Sequence, residues 1–144
     1  MTDSLHIACP ACGANNRLPE ARLVDSPKCG KCGAALFSAH PIAITDANFD
    51  KIVTGTDLPV VVDCWAGWCG PCMRFAPVFE EAAAKLEPHM RLAKLDTEAN
   101  QATAARLGIR SIPTLILFKG GKEVARVSGA MPLAPFLEWV KQHA

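Results

Sequence analysis

Six of the seven cysteines fall into three Cys-x-x-Cys pairs, and the placement of those pairs limits what the chain can become. Cys9 and Cys12 are followed, after 16 residues, by Cys29 and Cys32. The third pair, Cys69 and Cys72, stands apart with Cys64 just before it, and no cysteine follows. The first 40 residues are rich in Gly, Pro, Asn and Ala and carry little periodicity. From Pro41 onward apolar runs alternate with helical patterns. Two parts are expected: a module over 1–40 and a domain over 41–144.

The first four cysteines have the spacing of a zinc ribbon. Two residues between ligands let both sulfurs of a pair face one ion. Gly13 and Gly33, directly after each pair, permit positive φ and a close approach of backbone N–H groups to sulfur. Four thiolates would close the coordination sphere of Zn²⁺, so Cys9, Cys12, Cys29 and Cys32 read as one structural site. Binding would supply on the order of 10 kcal/mol to a segment too short to build its own core. Two disulfides or four free thiols are the alternatives. The segment holds four basic side chains against three acidic ones, and a zinc tetrathiolate adds about −2. It has no basic stripe, which argues against nucleic acid as partner.

In the remainder, 42–44 read as a short strand, and Thr45 or Asp46 as the cap of a helix reaching about Gly55. Pro59 to Trp65 is a Val-rich run, expected as a strand buried on both faces. A helix is predicted over 70–87, a strand over 92–96 and a helix over 98–107 that ends at Gly108. Strands over 114–119 and 123–128 flank Gly120-Gly121, a hairpin signal. Pro132 opens a last helix with Leu133, Phe136, Leu137 and Val140 on one face. This order implies an α/β domain, a mixed sheet with helices on both faces.

The third pair lies in Trp65-Ala66-Gly67-Trp68-Cys69-Gly70-Pro71-Cys72, between a buried strand and a helix. Cys69 falls at the helix N-terminus, where the dipole and free N–H groups favour thiolate. Cys72 is three residues on, hence on the same helical face. Gly70 leaves access open, and Pro71 suits the first turn. The pair reads as a redox dithiol: Cys69 attacks a disulfide, and Cys72 resolves the mixed disulfide. The alternative, half of a metal site, lacks further ligands nearby.

Val60 to Pro77, Ile112-Pro113-Thr114 and Gly129-Ala130 together resemble the thioredoxin family over essentially all of 41–144. The preceding pairs are similar to its zinc-containing thioredoxin 2 branch. The resemblance implies a thioredoxin fold and a protein-disulfide reductase. It implies that Asp63 is a buried acid exchanging a proton with Cys72 and that Lys94 is its neighbour. It also implies that Pro113 is a cis-proline facing the dithiol, and that Trp68, Gly70, Pro71, Ile112, Gly129 and Ala130 receive the substrate. A flavoenzyme thioredoxin reductase using NADPH would restore the dithiol. The chain itself has no flavin or nicotinamide motif. Three departures stand out: Gly67 replaces a bulkier residue, Met73 a basic one that Arg74 partly replaces, and Cys64 an aromatic one.

The N-terminus lacks the basic and apolar regions of a signal peptide, and no run approaches a membrane span. A net charge of +1 gives no reason to expect an anionic membrane or nucleic acid as partner. A cytoplasmic monomer acting on disulfide-containing proteins is therefore expected. The rival readings are a folding oxidase or isomerase, and a zinc-dependent redox sensor or chaperone-like binding module.

Overall fold

The computed structural model describes residues 3–144. Strands β1 (Ser4–Ala8) and β2 (Asn15–Pro19) form an antiparallel hairpin, and a 3-10 helix over Glu20–Asp25 follows. The main body runs β3 (Ile42–Ile44), α1 (Phe49–Thr54), β4 (Val60–Trp65), α2 (Gly70–Leu86), β5 (Arg91–Asp96) and α3 (Gln101–Arg106). It ends with β6 (Thr114–Lys119), β7 (Lys122–Ser128) and α4 (Leu133–His143). The five-stranded sheet has the order β3-β5-β4-β6-β7. β3, β5 and β4 are parallel, while β6 and β7 are antiparallel additions.

Strand β4 lies at the centre and, as its apolar sequence requires, is buried on both faces. Val60, Val62 and Cys64 point to one side, onto Phe49 and Ile52 of α1. Val61 points to the other, where Phe75 and Phe79 of α2 meet Phe136 of α4. The Phe75 and Phe136 rings pack edge-on, 5.3 Å between centroids. Each such side chain contributes about 1.5–3 kcal/mol by leaving water. Pro77 sits inside α2 without ending it. Gly120 and Gly121 both take positive φ, as a tight hairpin between β6 and β7 demands.

The first helix is shorter than expected, and neither Thr45 nor Asp46 caps it through a side chain. The Asp46 carboxylate instead accepts from the N–H and hydroxyl of Thr103, at 2.8 and 2.6 Å, and so caps α3. Helix α3 is also shorter than the predicted 98–107, but its end matches. Gly108 takes φ +66°, its N–H reaches Ala105 O, and the Ile109 N–H reaches Ala104 O, which is a Schellman closure.

The small module gathers Ile7, Cys9, Leu23, Cys29 and Leu36 into a core, and Leu58 from the chain entering β4 completes it. His6 and Asp57 exchange two hydrogen bonds, His6 N–H to the Asp57 carboxylate and Asp57 N–H to His6 O. The module thus seats at the N-terminal ends of β4 and β5. Among the described residues no helix is long and apolar enough to cross a membrane.

Candidate functional site

The turn from β4 into α2 carries the dithiol at the C-terminal end of the sheet's central strand. Cys69 is the N-cap of α2 with extended backbone, and its Sγ accepts from the Cys72 N–H at 3.2 Å. Pro71, in the first turn, costs no hydrogen bond there. Cys69 and Cys72 are joined as a disulfide with Cα atoms 5.2 Å apart. They are 4% and 1% exposed, so Cys69 is the less buried residue of the two. The Arg74 guanidinium folds back to this end of the helix. Its Nη1 lies 3.4 Å from where a Cβ on Gly70 would stand.

Across the site the Ile112–Pro113 peptide is cis, as the resemblance implies, and Cys69 Sγ lies 3.7 Å from Ile112 O. Gly129, at φ +105°, donates its N–H to Pro113 O at 2.8 Å. Gly129 and Ala130 therefore border the proline loop. Trp68 is 71% exposed, with its indole N–H on the Glu98 carboxylate. A cleft of about 330 Å³ runs from Trp68 to Ile112, floored by Gln101 and Ala104 of α3 and edged by Arg110.

Beneath the dithiol, Asp63 shares the α2 face of β4 with Val61. Val61 packs with Phe75 and Phe79 of α2, the helix that carries the buried Cys72. Asp63 is 0% exposed, and neither carboxylate oxygen has a hydrogen-bond partner among the described residues. Burial pushes its carboxyl up to about 7, against a downward pull from Lys94. Lys94 is Asp63's register partner in β5, and its ammonium lies 4.8 Å from the centroid of the half-buried Trp65 ring. Cys64 faces the opposite core, where burial lifts its thiol to about 12. It takes no part in the site.

The sequence does not reveal what fixes the proline loop. The Thr114 hydroxyl donates to Ser111 O at 2.5 Å and lies 3.0 Å from the Ser128 hydroxyl, which also accepts from Ser111 Oγ at 3.0 Å. Nor does it reveal Thr97, whose N–H and hydroxyl both donate to Trp65 O and hold the turn before the dithiol. Single hydroxyls far apart in sequence carry no spacing signal.

At the other end of the sheet, the sulfurs of Cys9, Cys12, Cys29 and Cys32 all lie within 4.8 Å of one another. The Cys9–Cys32 and Cys12–Cys29 sulfur pairs are each 3.6 Å apart. A tetrahedral ion with bonds of about 2.3 Å sets its sulfurs about 3.8 Å apart, so the four fit zinc. The two knuckles repeat one geometry. Gly13 and Gly33 take φ +76° and +79°, and each donates to the carbonyl of the first cysteine of its pair. Backbone N–H groups of Ala11 and Cys12 point at Cys9 Sγ, and that of Lys31 at Cys29 Sγ. Asn16, unmarked in the sequence, ties the strand after the first knuckle to the second: its amide donates to Ala14 O and to Cys29 Sγ, and its carbonyl accepts from Gly30 N–H. The Cys32 N–H, then Asn16, hold the Cys29 thiol down at about 6.

Comparison with known proteins agrees with this arrangement. The thioredoxin family model matches residues 40–142, and the model described as "Thioredoxin 2, N-terminal" matches residues 8–34. The chain is 46% identical to "Thioredoxin C-3" of Corynebacterium nephridii over 136 residues, covering 94% of this chain and 93% of that one. It is 43% identical over 100 residues to "Thioredoxin" of Haemophilus influenzae, covering 69% of this chain and 94% of the relative. It is 49% identical over 96 residues to "Thioredoxin" of Synechocystis sp., covering 67% and 89%. With a strand–turn–helix dithiol, a facing cis-proline and these matches, the chain belongs to the thioredoxin family of protein-disulfide oxidoreductases.

Proposed function

We propose that the chain is a protein-disulfide reductase whose electrons come from Cys69 and Cys72. The Cys69 thiolate attacks one sulfur of a substrate disulfide. A mixed disulfide forms, and the other substrate sulfur leaves as thiolate. Cys72 loses its proton and attacks Cys69 Sγ, which expels the second substrate thiolate. Two electrons pass to the substrate, and the protein is left with the Cys69–Cys72 disulfide. The observation that carries this reading is that disulfide at the N-terminus of α2, held against Ile112-Pro113.

The unpartnered Asp63, with its carboxyl near neutral, supports a role in taking the Cys72 proton, directly or through water. Lys94 tunes that carboxyl. Ile112 offers its backbone to an extended substrate segment, and Trp68, Gly70, Pro71, Pro113, Gly129 and Ala130 surround the sulfurs as its docking rim. An NADPH-dependent thioredoxin reductase returns the dithiol, as for the family generally. The partners are disulfide-containing proteins met by a cytoplasmic monomer. One zinc per chain, held by Cys9, Cys12, Cys29 and Cys32, is structural, because four sulfur ligands leave no open position. Residues 1–40 form its module and 41–144 the redox domain.

A reductase-coupled insulin reduction assay tests the mechanism. The parent should turn over, and Cys69→Ser should be inactive. Cys72→Ser should accumulate mixed disulfides, while full turnover by that variant would refute a two-cysteine mechanism. A strongly oxidising redox potential would instead favour a folding oxidase.

A further inference from the structure

The largest of the fully buried side chains is an arginine, Arg91, at 0% exposure. It opens β5 beside Val60, and its backbone N–H donates to Pro59 O at 2.9 Å. Nη2 of its guanidinium donates to Leu36 O at 2.5 Å, and the group lies 4.4 Å from the Phe37 ring centroid. Leu36 follows Cys32 by four residues and packs in one cluster with Cys9, Cys29 and Leu58. A cation from the redox domain is thus sunk against the core of the cysteine module.

Burying a guanidinium is costly unless a partner offsets it. Glu87 is a poor partner. Its Oε2 lies 3.4 Å from Nη1, beyond the ~2.7–2.9 Å of a charge-assisted bond. That oxygen also accepts the Leu92 N–H, the other Glu87 oxygen is buried without a partner, and burial raises the Glu87 carboxyl. Arg91 Nε also meets no acceptor. Four thiolates on a divalent ion carry about −2, a second counter-charge beside the single, poorly placed one of Glu87. Burial lowers the guanidinium's pKa, and Glu87 and then Cys9 oppose that.

We propose that Arg91 is the buried counter-cation of the four-cysteine centre, so that the redox domain sets how tightly the module holds its metal. This rests on the zinc reading of Cys9, Cys12, Cys29 and Cys32. Lys51 is the contrasting case. Its side chain passes 3.0 Å from where a Cβ on Gly13 of the first knuckle would stand, but it is exposed, so solvent and salt screen it.

The test is zinc affinity of the full chain, measured by competition with a chromophoric chelator. Cobalt substitution reports the thiolate-to-metal absorption. Arg91→Met should weaken zinc by about 10- to 100-fold, the range for groups that support metal ligands. Arg91→Lys should recover part of the loss, and Lys51→Met should change little. Glu87→Gln keeps the cation and removes the competing acid, so it should hold zinc at least as tightly as the parent. Parent-like affinity in a folded Arg91→Met would overturn the proposal. So would Glu87→Gln weakening zinc as much, since packing of the pair would then matter and not charge. Should Arg91→Met not fold, the lysine and glutamine variants decide. A parent that binds no zinc would remove the reading beneath the proposal, a separate result.

Discussion

Asp63 and Lys94 stand opposite each other in the register of β4 and β5, yet the lysine's ammonium lies over Trp65, 4.8 Å from the ring centroid. The carboxylate is left without a hydrogen bond in the core beneath the dithiol. Sheet geometry makes the two neighbours without making them a close ion pair. The acid's proton is therefore held mainly by burial.

A pH signature follows. Burial raises the Asp63 carboxyl to about 7, while an unfolded aspartate titrates near ~3.9. The stability this group contributes is complete below about pH 4 and is lost as pH rises through about 7. The full gap is worth about 4 kcal/mol. Asp63→Asn should therefore be more stable than the parent at about pH 8 by up to that amount, and the advantage should vanish in acid. Urea unfolding across this range measures it. A constant difference between the two proteins at every pH would mean the carboxyl is not shifted.

The same substitution should slow the second half of the reaction more than the first. Stopped-flow release of substrate from the Cys69 mixed disulfide should slow by about 10- to 100-fold in Asp63→Asn, within the range for a positioned base. Attack by Cys69 should stay near the parent rate. Equal slowing of both steps would count against proton transfer to Asp63.

Metal content should divide the cysteines into two groups. Purified protein is expected to carry one zinc, lost in Cys29→Ser and kept in Cys69→Ser. Elemental analysis reads this directly. Zinc leaving with Cys69 would contradict the grouping of four sulfurs within 4.8 Å.

The proline loop should depend on its hydroxyls. Thr114 is buried, and its hydroxyl ties Ser111 O to the Ser128 side chain. Thr114→Val keeps the shape and removes those bonds, at about 1–2 kcal/mol. The KM for a protein disulfide should rise as Ile112 and Pro113 lose their fixed placement. An unchanged KM in a destabilised variant would limit these hydroxyls to a folding role.

Gly67 invites the opposite outcome. It lies outside the positive-φ region, and a Cβ there would meet nothing within 4 Å. Gly67→Ala should stabilise the protein by about 0.4–1 kcal/mol by restricting the unfolded chain. Thermal unfolding checks it, and a lower Tm would mean the turn needs glycine for a reason other than space.

What the sequence reveals here is what short stretches decide alone. Val60 to Trp65 is apolar enough to be a central strand, and Gly120-Gly121 can only be a tight turn. Gly13 and Gly33 each follow a knuckle, which fixes their φ. The missed features depend on distant partners. The pairing of Ser4–Ala8 with Asn15–Pro19 carries little signal, because each strand has only five residues and the second is largely polar. Asp46 looks like the cap of the next helix and caps one 57 residues away. Arg91 lies just before the strand expected over 92–96 and carries no spacing signal, and only the docked module explains its burial.

The module meets the sheet where β4 and β5 begin, whereas the sulfurs of Cys69 and Cys72 lie beyond the point where β4 ends. Six residues of extended chain separate the two, about 20 Å. The molecule is therefore two-poled. A protein docked at Trp68 and Pro113 as proposed would sit about one strand length from the four-cysteine module, so the module need not move for the exchange to run.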